Sequence, residues 1–196
     1  MSNQLLDRVT IVNVTLVLEA VLLLAAAIWI QISGIELHSA FRLGKYSLIA
    51  GILAGCGTAS SGFVIVWLGK VLKNPPKWLD GLRKIVFEEI APLFSSLKTV
   101  DVFLLAMSSG FCEEVFFRGV LQSQLGLLPT SILFGLFHCP SPRHLSYGLW
   151  ALSAGLLFGW LRNWTGSLWA PIIAHTLSNL IAISMLRRMS RSSSVV

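Results

Sequence analysis

Glu113, Glu114 and Arg118 lie inside a long apolar stretch of the sequence, where charged residues are costly. At about 1.5 Å per residue along a helix, Glu113 would lie near the middle of a bilayer. Each charge at that depth costs about 2.5–3.5 kcal/mol on insertion scales. We therefore expect the three side chains to face protein or water, and we expect a function for them.

An internal salt bridge accounts for two of these three charges. Glu114 and Arg118 are four residues apart, so they share one face of a helix and can pair. Glu113 points about 100° away around the helix and is left out of the pair. Two neighbouring carboxylates in a low-dielectric site also disfavour joint ionisation. Arg118 is expected to hold Glu114 ionised, which leaves Glu113 free to exchange a proton.

Two further apolar stretches carry histidines. The first ends with Phe134 and His138, which share one helix face, although a lone histidine of this kind is often only a packed core residue. The second carries His175 and Asn179, which also share one face. Ionisable residues inside membranes usually face the bundle interior, so three helices would direct polar groups toward one place.

Peptide-bond hydrolysis by water is the chemistry that this set of residues could perform. The sequence contains no HExxH motif, and no Ser or Cys lies beside a plausible base in a known arrangement. A glutamate near a histidine can take a proton from water, and a second histidine with an amide can donate hydrogen bonds to an oxyanion. Alternatively, Glu113, His138 and His175 could ligate Zn²⁺, since three protein ligands are usual in a catalytic site. The residues leave both routes open.

The composition predicts that membrane helices position these residues. Of 196 residues, 55% are hydrophobic and 12% are charged, whereas soluble domains carry about 25% charged residues. Apolar runs of about 18 residues predict spanning helices, whereas barrel strands would alternate over about 10 residues. We predict an all-α, polytopic membrane helix bundle with about six transmembrane segments. These are roughly Val9–Ile32, Tyr46–Leu72, Val100–Leu125, Leu127–His138, Leu145–Leu161 and Leu168–Leu186.

The region between the second and third segments mixes apolar and charged residues. Leu79, Leu82, Val86 and Ile90 follow a nearly helical spacing. This spacing predicts an additional amphipathic helix lying in the headgroup layer. A partly buried cytosolic loop is the alternative.

Lysine and arginine are distributed unevenly among the predicted loops. With six spans, eleven of them fall on one side of the membrane and three on the other. Cytoplasmic loops carry the excess, so both termini are expected in the cytosol, with the chain in a bacterial plasma membrane or an inner membrane such as the thylakoid. The net charge of +6 suits an anionic leaflet. It does not indicate nucleic-acid binding, because no basic stripe with interleaved aromatic residues is present.

The chain is expected to form one domain. Residues 1–189 would be a single transmembrane helical domain, and the serine-rich residues 190–196 a disordered tail. Gly51 and Gly55 form a GxxxG pair that predicts close helix packing. Glu19, in the first segment, is interpreted as pairing with a bundle partner or lying near an interface, outside the site.

The ordered motifs EExxxR, FxxxH and HxxxN resemble the CPBP family, also called the Abi or CAAX-protease family, of intramembrane endopeptidases. The match covers residues 113–179, with every motif position filled. The resemblance implies an all-α bundle whose internal site opens to the cytosolic face. It also implies roles for the residues. Glu113 would activate water with help from His138, Glu114 would pair with Arg118, and His175 and Asn179 would form the oxyanion hole. Both metal-dependent and metal-free mechanisms have been described for the family, and we prefer the metal-free one.

The leading hypothesis is an intramembrane endopeptidase. Its substrates would be membrane-anchored or membrane-associated proteins or peptides, in CAAX-type processing of prenylated proteins or in processing of bacteriocins or other peptides. A non-proteolytic scaffold or immunity factor on the same fold is an alternative, but a scaffold has no chemical need for Glu113. A small proton-coupled transporter is less favoured, because no inverted repeat with broken helices is visible.

Overall fold

The computed structural model describes residues 7–193, and within them every regular element is helical. In chain order the helices are α1 (Arg8–Ser33), α2 (Lys45–Val71), α3 (Lys77–Lys84), α4 (Ala91–Phe94), α5 (Thr99–Glu114), α6 (Gln122–Leu125), α7 (Leu127–Phe137), α8 (Leu145–Thr165) and α9 (Trp169–Ser193). The π-helical turns Ile85–Ile90 and Val115–Leu121 join α3 to α4 and α5 to α6. The short 3-10 turns His38–Phe41 and Pro142–His144 precede α2 and α8. The predicted all-α helix bundle is confirmed, and each of the six predicted segments is helical.

The number of helices that could cross a membrane is smaller than the six predicted. Three helices are long and apolar enough by themselves, namely α1, α2 and the Trp169–Arg191 part of α9. A fourth span would need Lys77–Phe94 and Thr99–Leu125 together, which are bent by 120° at their junction. Helix α7 has 11 residues and is about 16 Å long, about half of a 30 Å hydrocarbon core. Length and composition therefore support three or four full spans in the described part of the chain.

The segment between α2 and α5 is helical, so the loop alternative is wrong. Leu79 and Leu82 of α3 are buried. On the other face, Asp80 forms ion pairs with Arg83 at 2.9 Å and with Lys84 at 2.8 Å. This division of α3 into an apolar and a charged face is the pattern that the sequence predicts for an interfacial helix.

Side-chain contacts hold both ends of the bundle together. At one end, Arg8 binds the Asp101 carboxylate through two hydrogen bonds of 2.5 Å, and Arg191 Nε donates to the Ser95 carbonyl at 2.9 Å. At the opposite end, Trp169 Nε1 donates to the Phe41 carbonyl at 2.8 Å. The first end gathers residues from the side predicted to be cytosolic.

The last helix extends beyond the predicted end of the domain. Helix α9 continues to Ser193, so residues 190–193 of the predicted disordered tail are helical. The hydrogen bonds of Arg191 to the segment before α5 stabilise this last turn. Residues 194–196 of the predicted tail lie outside the described residues.

Close glycine contacts place α9 in the centre of the bundle. A Cβ on Gly51 of α2 would lie 2.8 Å from the Ala170 carbonyl oxygen, and one on Gly55 would lie 2.8 Å from that of Ala174. Helices α2 and α9 therefore run in the same direction with their backbones nearly touching, as the GxxxG pair predicts. Because α5 packs against α9 as well, α9 presents its polar side chains directly to the glutamates of α5.

Candidate active site

Glu114 and Arg118 form an ion pair in the core of the bundle. Their side chains are 0% and 1% exposed, and Arg118 Nε lies 3.1 Å from Glu114 Oε2. The Nε–H bond does not point at the oxygen, so the contact is ionic without being a hydrogen bond. Arg118 Nη2 donates to the Gly155 carbonyl at 3.2 Å, and the guanidinium carbon lies 4.3 Å from the centre of the Phe134 ring. The pair predicted from the four-residue spacing is confirmed.

The helix that carries the two glutamates changes geometry directly after them. Residues Val115–Leu121 form a π-helical turn, and all seven are buried. Such single π turns inside α-helices occur frequently at functional sites. Arg118 lies in the middle of this turn, so its guanidinium is held between the bundle core and Glu114.

His175 joins the ion pair from α9. Its Nδ1 lies 2.8 Å from Glu114 Oε1, and because an ionised carboxylate can only accept, Nδ1 carries the hydrogen. The ring stacks on Phe158 at 5.3 Å and meets the edge of Phe134 at 5.9 Å. These contacts fix the ring orientation and leave Nε2 as its remaining polar atom.

Asn179 lies one turn further along α9. Its Nδ2 donates to Ser109 Oγ of α5 at 2.8 Å. An amide nitrogen carries two hydrogens, so one stays available. Sequence reasoning missed Ser109, although Ser109 precedes Glu113 by four residues and so lies on the same face of α5.

Glu113 and His138 face each other without forming a hydrogen bond. His138 Nε2 lies 4.0 Å from Glu113 Oε2, and the two side chains are 25% and 15% exposed. Within residues 7–193, Glu113 Oε2 has no hydrogen-bond partner. His138 Nδ1 lies 2.8 Å from the Phe134 carbonyl, which can only accept, so Nδ1 is protonated and Nε2 is the atom directed at Glu113.

The end of α7 explains how His138 reaches this place. Helix α7 ends at Phe137, and His138 is its C-terminal cap. Pro140 and Pro142 follow, and proline prevents a helix from continuing. The short α7 therefore delivers an imidazole to the interior of the bundle.

A cavity of about 400 Å³ collects these side chains. Glu113, His138, His175 and Asn179 line it, whereas Glu114 and Arg118 lie behind its wall. The cavity also includes residues near the end of the bundle that is predicted to be cytosolic, among them Trp67, Lys70, Ile90, Phe94, Leu186 and Met189. The structure thus brings all six predicted site residues together, four on the cavity surface and two as support.

Glu19 of α1 also lines the cavity, and its interpretation as a residue outside the site is wrong. The residue is 8% exposed, and its Oε2 has no hydrogen-bond partner among the described residues. The signal for it was a lone carboxylate inside the long apolar helix α1. That signal does not reveal which way the side chain points.

The predicted zinc ligands do not fit a metal ion. In the described part of the chain, no three His, Cys, Asp or Glu side chains are arranged to hold one, and Glu113, His138 and His175 are no exception. The described side chains therefore offer no ready-made metal site.

Comparisons with known proteins agree with the motifs. Residues 95–181 match the family described as type II CAAX prenyl endopeptidase Rce1-like. The uncharacterized protein YpbD of Bacillus subtilis (strain 168) is 32% identical over 98 residues, which cover 48% of this chain and 50% of that protein. The chain thus spans about half the length of this curated relative. No solved structure matches the chain. The matched residues 95–181 contain all six predicted site residues, and in this region the chain is similar to the Rce1-like family of type II CAAX prenyl endopeptidases.

Proposed function

We propose that this chain is an intramembrane endopeptidase that hydrolyses peptide bonds of membrane-anchored or membrane-associated proteins with a water molecule activated by Glu113. One observation carries the proposal. Of the two adjacent glutamates, Glu114 is bound to Arg118 and His175, whereas Glu113 Oε2 accepts no hydrogen bond from residues 7–193 and lies 4.0 Å from His138 Nε2. A buried ion pair can be purely structural, but a carboxylate on the surface of a cavity that accepts no hydrogen bond from the protein needs another reason.

Water activation follows from the protonation of His138. Since its Nδ1–H donates to the Phe134 carbonyl, Nε2 of the neutral ring is an acceptor. A water molecule between Glu113 and His138 would donate one hydrogen to each. Its oxygen lone pairs would then point into the cavity, toward a peptide carbonyl. Glu113 takes the proton as the oxygen bonds to the carbonyl carbon, which is general base catalysis.

The oxyanion that forms would be stabilised from α9. Asn179 has a free amide hydrogen, and His175 can donate through Nε2 when its ring carries both protons. The Glu114 carboxylate, which lies 2.8 Å from Nδ1 and pairs with Arg118 on its other side, stabilises this doubly protonated ring. The buried pair therefore supports the reaction through His175. Donors of this kind are typically worth about 10²–10³ in kcat.

The cavity supports a substrate that is held at the membrane. Apart from the proposed catalytic side chains, the cavity is lined largely by aromatic and aliphatic residues, among them Trp67, Phe87 and Phe94. CAAX-type processing of a prenylated protein fits such a wall, and so does processing of a hydrophobic peptide. We propose a multi-pass protein with both termini in the cytosol, supported by Arg8 and Arg191, which contact the same segment before and at the start of α5.

The test is cleavage of membrane-tethered peptides, including farnesylated CAAX peptides, by purified protein in liposomes. Glu113→Gln and His175→Ala are expected to abolish cleavage, and Glu36→Gln, which changes an exposed carboxylate in the α1–α2 loop, is expected to leave it intact. Cleavage that survives a strong chelator supports the metal-free route. Rescue of cells that lack the gene by Glu113→Gln as well as by wild type would overturn the protease in favour of a scaffold.

A further inference from the structure

Glu19 is a second carboxyl group in the catalytic cavity that the mechanism above does not use. Its residue is 8% exposed, it lines the same 400 Å³ cavity as Glu113 and His175, and its Oε2 has no hydrogen-bond partner in the described part of the chain. A carboxyl group in the middle of a spanning helix costs about 2.5–3.5 kcal/mol on insertion scales, so such residues usually have a function. Within residues 7–193, no ion pair of Glu19 offsets this cost.

The two carboxyl groups lie at the same depth. Helices α1 and α5 pack side by side, and the double hydrogen bond between Arg8 and Asp101 aligns their first turns. Glu19 follows Arg8 by 11 residues, and Glu113 follows Asp101 by 12. At 1.5 Å per residue both carboxyl groups are about 17–18 Å from this common anchor. The cavity therefore receives one carboxyl group from each helix at one level.

Two carboxyl groups in one low-dielectric cavity do not both ionise readily, so they hold one proton between them. Glu113 Oε2 lies 4.0 Å from His138 Nε2, and the water proposed between them would donate a hydrogen bond to Glu113, which favours its ionised form. Glu19 Oε2 has no such partner among the described residues, and so Glu19 takes the proton. One group is thus the base and the other the acid.

We propose, resting on the proposed function above, that Glu19 is the general acid that protonates the leaving amine. Glu113 takes a proton from water as the C–O bond forms, giving a tetrahedral oxyanion. The oxyanion electrons restore the carbonyl as the C–N bond breaks, and the leaving nitrogen takes the Glu19 proton. The products are a carboxylic acid and a neutral amine. Transfer of the proton from Glu113 to Glu19 through cavity water restores the starting state.

The experiment compares two leaving groups in liposomes. One substrate is a membrane-tethered peptide, and the other is its thioester analogue, in which sulfur replaces the scissile N–H. A thiolate leaves without a proton, since thiols have a pKa of about 8.5, whereas an amine needs one. Glu19→Gln is expected to lower peptide cleavage by about 10²-fold or more, in the range of general acid catalysis, and thioester cleavage by far less. Glu113→Gln is expected to lower both.

Glu36→Gln, with its exposed carboxylate, is the matched control, and thermal unfolding in detergent checks that each variant is folded. Equal losses of peptide and thioester cleavage in Glu19→Gln would overturn the proposal, because a structural defect does not distinguish leaving groups. Full peptide cleavage by Glu19→Gln would overturn it as well, while loss in Glu113→Gln would leave the proposed function standing. Failure of the wild type to cleave either substrate would overturn both.

Discussion

Two adjacent residues of α5, Glu113 and Glu114, have opposite environments, and the comparison separates structure from reactivity in this site. Glu114 is fully buried and bound on two sides, by Arg118 at 3.1 Å and by His175 at 2.8 Å. The side chain of Glu113 is 15% exposed on the cavity, and its nearest ionisable contact is His138 at 4.0 Å. Glu114, Arg118 and His175 form a buried cluster whose polar groups contact one another. Glu113 and His138 face the cavity without a hydrogen bond between them, which leaves room for water.

The free-energy cost of burying a carboxylate can be offset by ionic partners, as at Glu114. At Glu113 the cost is not offset by a hydrogen bond, and the carboxylate stays available to react. Breaking a buried ion pair by removing one partner costs about 3–5 kcal/mol. Glu114 and Arg118 are therefore expected to be needed for folding as well as for function. Glu113 and His138 contribute little to stability because they are not bound to each other. Mutations in the buried cluster should therefore lower the free energy of unfolding, whereas mutations of Glu113 or His138 should mainly lower the rate of cleavage.

Glu113→Gln is expected to have the largest effect on activity and almost none on stability. It removes the base that accepts the proton from water, and the rate should fall by about 10³–10⁴, near the upper end for general base catalysis. Single-turnover cleavage in liposomes measures the loss. The melting temperature in detergent should stay close to that of the wild type, and a large drop would contradict the view that this carboxylate is free.

Arg118→Met is expected to destabilise the bundle by about 3–5 kcal/mol, because it leaves Glu114 charged and buried without its cation. Unfolding followed by circular dichroism in detergent measures the change. The double variant Arg118→Met with Glu114→Leu should recover much of the lost stability, since no buried charge remains, but it should stay inactive because His175 has lost its carboxylate. Recovery of activity in the double variant would show that Glu114 and Arg118 have no role in the reaction.

Gly110→Ala tests the contact between α5 and α9 that aligns the two regions. A Cβ on Gly110 would lie 2.7 Å from the Thr176 backbone nitrogen, and overpacking of this kind costs about 1–3 kcal/mol. The shift of α9 should also reduce cleavage by displacing His175 and Asn179. Gly57→Ala is the matched control, because nothing lies within 4 Å of the new Cβ. Equal behaviour of the two variants would contradict the close contact.

The smallest effect is expected at the ion pair of Glu89 with Arg143, which joins the π turn Ile85–Ile90 to the 3-10 turn before α8. Arg143, with a smaller contribution from His144, holds the pKa of Glu89 below its usual value. A lowered folded-state pKa stabilises the protein above the unfolded value of about 4.3, and this is lost as the pH falls through the folded value. Glu89→Gln should therefore cost less than about 1 kcal/mol at pH 7 and nothing well below pH 4.

Glu88→Gln is the control for that measurement, because the neighbouring Glu88 is exposed. Denaturant titrations of both variants and the wild type at two pH values give the comparison. A Glu89 effect that persists unchanged in acid would contradict an electrostatic origin.

Much of the candidate active site could be predicted from the sequence because its residues are unusual for their surroundings. Glu113, Glu114, His138 and His175 stand out in apolar stretches, and the four-residue spacing of Glu114 and Arg118 was enough to predict their contact. Spacing along one helix determines which side chains share a face, whatever the rest of the fold does. The amphipathic pattern of α3 was readable for the same reason.

Contacts between helices could not be predicted in this way. Two hydrogen bonds join α5 and α9. His175 and Glu114 are 61 residues apart in the chain, and Asn179 and Ser109 are 70 residues apart. They depend on the depth and rotation of α9 against α5, which the glycine contacts determine and hydropathy does not describe. Fewer helices than the six predicted segments are long and apolar enough for a full span, and for one of them apolarity does not reveal that α7 has only 11 residues.

The sequence by itself therefore determined the membrane class, the helices and a set of six candidate site residues, because these depend on composition and on local periodicity. Only the tertiary structure decided that Glu114 is closed in by Arg118 and His175 while Glu113 stays open, and that Glu19 enters the same cavity. The physical reason is that a carboxylate's role depends on its partners and its access to water, and both come from distant segments that packing brings together.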